Sequence, residues 1–125
     1  MKKFATAINC MDGRVQVPII KYITKKYEVE YIDMITEPGP NKILAENKEH
    51  RTIDSIKERV KISTDAHGSY LIAIVGHYDC AGNPAEEEQQ IKDIKLAVKN
   101  LESWNLGVKI IGLYVNEECK VKKIC

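Results

Sequence analysis

Apolar and β-branched runs alternate along the chain with segments whose apolar residues recur at helical spacing, the pattern of a parallel sheet covered by helices. Phe4 to Asn9, Glu28 to Thr36, Ser69 to Gly76 and Val108 to Val115 read as strands. Three of them are rich enough in Ile, Val and Ala to be buried on both faces. Between strands, Ile19, Ile20, Ile23 and Tyr27 keep helical spacing after Pro18, a residue tolerated in a first helical turn. Ile53, Ile56 and Val60 mark a second helix that ends near His67-Gly68, where glycine takes the left-handed cap. A third helix, Ala85 to Trp104, opens on the acidic run Glu86 to Glu88 and turns Ile91, Ile94, Val98 and Leu101 inward. Asn116-Glu117-Glu118 makes a turn, and Cys119 to Ile124 returns as a short strand whose lysines protect an exposed edge. Glu37-Pro38-Gly39-Pro40-Asn41 is a turn signal.

The predicted fold is therefore α/β: three layers, with a mostly parallel sheet of about four strands, helices on both faces and a short antiparallel edge strand. Strands one and three are expected to lie side by side at its centre. A length of 125 residues fits one domain, residues 1–125, with a real core. The balance of 19 basic against 18 acidic residues leaves no strong field to gather phosphate backbones or anionic lipid, so nucleic acid and membrane are poor partners. The first apolar stretch is too short for a secretory signal, and no later run approaches membrane-spanning length. A cytoplasmic address follows. Cysteines at positions 10, 80, 119 and 125 do not make a small disulfide framework, so some are expected to be thiols or metal ligands.

The chemistry gathers at two strand ends. The first strand stops at Cys10-Met11-Asp12-Gly13-Arg14, and the third runs into Gly76-His77-Tyr78-Asp79-Cys80. Adjacent parallel strands leave the sheet together at their carboxyl ends, where such folds place ligands. Cys10, His77 and Cys80 would then face one another, and two thiolates with one imidazole suit zinc. Three protein ligands leave a fourth position open. Asp12 either fills it or stays off the metal, held by Arg14, to accept a hydrogen bond from the water there. Gly39 lies on the same rim and borders the substrate pocket or only turns the chain; Tyr78 walls the site or packs outward. His50 and His67 are expected to be solvated or capping residues, with a proton relay as the alternative for one that faces the cleft.

Cys-x-Asp-x-Arg after a first strand, followed far downstream by Gly-His-x-x-Cys, resembles the metal signature of the beta-class carbonic anhydrases. The closing IIGLYVNEECKVKKI is similar to that family's final hairpin. The resemblance implies Cys10, His77 and Cys80 as Zn2+ ligands and Asp12 and Arg14 as the catalytic pair. It also implies a homodimer acting on a small molecule, with zinc-bound hydroxide attacking carbon dioxide to give bicarbonate. Of the family's Arg-Asn-Ala-Gly element after the second strand, only Gly39 corresponds here, so the chain is expected to be a shortened, divergent member. Two other readings remain: a zinc-binding protein or sensor of the same fold without hydratase activity, and a hydrolase of another small electrophile. A redox or thiol-nucleophile role would need Cys10 reactive without metal.

Overall fold

The computed structural model describes residues 3–125; Met1 and Lys2, at the charged start of the chain, lie outside them. A five-stranded sheet runs in the order β2-β1-β3-β4-β5. It is formed by β1 (Phe4–Cys10), β2 (Tyr31–Glu37), β3 (Leu71–His77), β4 (Lys109–Val115) and β5 (Val121–Lys123). The first four pair in parallel and β5 returns antiparallel to β4. This is the predicted α/β architecture, with β1 and β3 neighbours at the centre.

Alternation along the strands feeds two cores. Ala5 and Ala7 of β1 and Leu71, Ala73 and Val75 of β3 face α1 (Gln16–Tyr27), which buries Ile19 and Ile23 against them. Ile8, Ile72 and Ile74 face the opposite way. There they meet α2 (Pro40–Glu46), α3 (His50–Lys61) and α4 (Glu87–Glu102). Each of these isoleucines is fully buried, and such burial is worth about 1.5–3 kcal/mol per side chain. One polar seam crosses the core: the Thr6 hydroxyl meets those of Ser63 and Ser69 at 2.6 and 2.8 Å. Ser63 lies in a π-helical turn, Ile62–Ala66, which continues α3, and donates to Asp33 of β2.

The structure differs from the sequence reading at four places. Ile20 is largely exposed, because a helix lying on small residues buries only the stripe through Ile19 and Ile23. The Pro38–Asn41 stretch is more than a turn: Pro40 is the first residue of α2, whose Ile43, Leu44 and Ala45 are buried. On α4 it is Gln90, not Ile91, that is fully buried in line with Ile94, Ala97, Val98 and Leu101. The last strand is shorter than read, because Cys119 has φ +60° and belongs to the preceding turn.

Candidate metal centre

Cys10 is the last residue of β1 and His77 the last of β3, so the neighbouring strands deliver both side chains to one end of the sheet. Cys80 follows on the loop after β3. The candidate ligand atoms of Cys10, His77 and Cys80 all lie within 4.8 Å of one another, and all three residues are buried. The two sulfurs are 3.8 Å apart. Two thiolates at about 2.3 Å from a tetrahedral ion would be separated by about that distance.

The imidazole is aimed at the same point. His77 Nδ1 lies 2.7 Å from the Tyr78 carbonyl oxygen, which only accepts, so Nδ1 carries the proton and Nε2 of the neutral ring presents its lone pair. Nε2 is buried without a hydrogen-bond partner among the described residues. A buried nitrogen lone pair beside two sulfurs is an unsatisfied group that a cation satisfies; the donor set fits a zinc-like metal.

Electrostatics agrees. The Cys80 thiol beside it holds Cys10 below the usual thiol range, against the opposing effect of burial, with further help from His77 and the Gly39 and Asp12 amides. Cys80 moves up, held protonated by its bond to Cys10 and by burial. Burial works to lower His77, but the Cys10 sulfur and the Tyr78 carbonyl carry it upward. Without a cation the cluster thus retains protons that metal binding must displace.

Asp12 is outside the three-residue cluster. Its carboxylate accepts from Arg14 Nη2 at 2.7 Å, from Nε at 3.1 and 3.2 Å, and from the Arg14 backbone amide at 2.9 Å. Arg14 accordingly holds Asp12 down to about 2. The other side of the guanidinium donates to the Asp79 carboxylate and carbonyl and to the Tyr78 hydroxyl. Asp79 stands between His77 and Cys80 in the second motif. Its anchoring of Arg14 depends on a left-handed backbone, φ +50°, that no motif announced. Gln16 ties down the same loop by donating to the Cys10 and Asp12 carbonyls.

A cleft of about 720 Å³ opens beside the cluster, bordered by Asp12, Arg14, Tyr78, Cys80, Glu86 and Tyr114 among others. Tyr78 is therefore on the wall. Gly39 is not among the lining residues. It is buried with φ +63°. Neither His50 nor His67 lines the cleft; His67 instead meets Asp33 at 2.7 Å. Cys119 and Cys125 are exposed and outside the cluster.

A family model described as "Putative carbonic anhydrase" matches residues 1–125. The chain belongs to that carbonic anhydrase family. Its fold is similar to the carbonic anhydrase of Glaciozyma antarctica, at 16% identity and TM-score 0.62 over 97% of this chain and 81% of that one. It is also similar to the beta-carbonic anhydrase CafA of Aspergillus fumigatus, at 14% identity and TM-score 0.52 over 98% and 74%. A beta-carbonic anhydrase of Sordaria macrospora, described as tetrameric, matches at 12% identity and TM-score 0.51 over 98% and 80%. No curated protein matches the sequence. The family and fold are those of carbonate dehydratase-like lyases. No helix among the described residues is long and apolar enough to cross a membrane.

Proposed function

We propose that this carbonic anhydrase family member is a zinc-dependent hydratase converting carbon dioxide to bicarbonate. Cys10, His77 and Cys80 hold the metal, and Asp12 and Arg14 are the catalytic pair. The observation that carries the reading is the buried, unpartnered Nε2 of His77 facing two sulfurs 3.8 Å apart. When bound there, zinc supplies an acidified water as the nucleophile. Asp12 offers an ionised acceptor at the cleft, orienting a hydroxyl through one hydrogen bond. Arg14 keeps that carboxylate off the ligand cluster and in one orientation, with Asp79 and Tyr78 bracing its far side. The buried sides of the site exclude water behind the sulfurs, and the cleft admits a small neutral molecule from the front.

Zinc-loaded protein is expected to hydrate carbon dioxide in a stopped-flow indicator assay. Arg14→Gln should retain zinc and lose about 100-fold in rate, the contribution typical of one positioned proton-handling group. A loaded wild type that is silent from mildly acidic to alkaline pH overturns the hydratase and leaves a metal-binding protein. The cleft is far larger than a triatomic molecule fills, which favours hydrolysis of another small electrophile as the second reading.

The single domain of residues 1–125 is proposed to act as a homodimer in the cytoplasm. Two free thiols 3.8 Å apart suit a reducing compartment. Met11, next to Cys10, and Val17 and Ile20, one turn apart on α1, are exposed apolar residues that a second copy would cover. Sedimentation at micromolar concentration should give twice the 14.2 kDa chain mass; a species of single-chain mass throughout contradicts the dimer.

A further inference from the structure

We propose that Gln90 is a positioning residue of the metal centre: from α4 it clamps the start of α2 to the loop carrying Cys80, and thereby fixes where that loop holds the Cys80 sulfur. The inference rests on the metal-centre reading but concerns residues outside the ligand set.

Gln90 is fully buried, and both ends of its amide are used. Nε2 donates to the Asn83 carbonyl at 2.7 Å, and Oε1 accepts from Asn41 Nδ2, also at 2.7 Å. Asn41 lies in the first turn of α2 and Asn83 in the loop after Cys80, so one side chain joins the two segments. The Asn83 side chain adds a second tie to α4, donating to Asp93 at 2.9 Å. The loops also touch directly. A methyl group added at Gly39 would lie 2.6 Å from the Gly82 carbonyl carbon. One added at Gly76, next to His77, would stand 2.7 Å from both Asn41 Nδ2 and Gln90 Oε1.

Gly82 and Asn83 stand two and three residues after Cys80, and Gly39 presses on Gly82. With the loop braced, Cys80 keeps one position relative to Cys10 and His77, and outer-shell contacts that hold a ligand in place set metal affinity. Separating the two segments would let Cys80 shift without altering a ligand. The clamp is also kept at a cost to the core, because Asn41 Oδ1 is buried without a partner.

The deciding comparison is Gln90→Met, close in size but unable to make either bond, against Ile94→Ala one turn along the same buried stripe. Zinc affinity is read by chelator competition, and the sulfur-to-metal charge-transfer band by Co2+ substitution. Gln90→Met should weaken zinc by about 10–100-fold and shift the band. Ile94→Ala should lower the melting temperature while leaving both readouts at wild-type values. If Gln90→Met does not fold, Asn41→Ala decides by the same readouts, since it removes one bond of the clamp together with the unpartnered oxygen; a weaker loss in the same direction is expected. Wild-type affinity and band in the folded variant overturn the clamp, as does an equal change in Ile94→Ala. A wild type that takes up neither metal overturns the metal centre itself and the clamp with it.

Discussion

Replacing Cys80 by serine is expected to abolish stoichiometric metal binding while leaving the fold in place. The exchange is nearly isosteric, so the α1-side core around Cys80 keeps its packing. In the metal-free protein the serine hydroxyl takes over donation to Cys10, replacing the thiol now 3.8 Å away. What disappears is a soft, acidic donor: a hydroxyl stays protonated where a thiol ionises, and borderline-soft zinc binds thiolate far better. The loss should exceed the about 10–100-fold typical of outer-shell changes, and metal content should fall from about one per chain to near zero. Because binding to the native state raises apparent stability, the upward shift in melting temperature that zinc gives the wild type should vanish as well. Calorimetry with and without zinc, beside metal analysis, checks both. Serine protein that still holds one zinc at wild-type affinity removes Cys80 from the ligand set.

The meeting of Cys10, His77 and Cys80 was legible in the sequence because two strong local signals coincide with a topological rule. Apolar runs stop at Cys10 and His77, and a parallel sheet brings the ends of β1 and β3 together. The support around them was not legible, for reasons that differ by residue. The seven-residue α2 is too short to show a period and begins inside a Pro-Gly-Pro breaker, although proline at a first helical position is itself a start signal. Gln90 is polar at an inward position, so reading by hydrophobicity passed to Ile91. The unbroken spacing from Gln90 through Ile94, Ala97 and Leu101 was the available clue. Gly39 was placed on the rim from its position after β2. Buried contact with Gly82 across a long sequence separation is a tertiary fact that neither segment encodes alone. Asp79 reaches Arg14 through a backbone conformation rather than a pattern.

Gly82→Ala should weaken the metal site although it alters no ligand. A methyl group there would stand 2.4 Å from the Pro38 carbonyl carbon, 2.6 Å from its oxygen and 2.7 Å from the Gly39 nitrogen. All three are backbone atoms, which cannot turn aside as a flexible side chain would, so the loops after β2 and β3 must part. Overpacking of this kind costs about 1–3 kcal/mol, and the displaced Gly82 lies two residues after Cys80 on the same loop. The expected result is a folded protein with a lowered melting temperature and zinc affinity reduced at least as much as in Gln90→Met. Gly13→Ala provides the contrast: it lies between Asp12 and Arg14, yet an added methyl meets nothing within 4 Å, so zinc affinity should stay at the wild-type value. If Gly82→Ala binds zinc as tightly as Gly13→Ala, the contact between the loops is packing alone, and the ligand geometry is set entirely by the ends of β1 and β3.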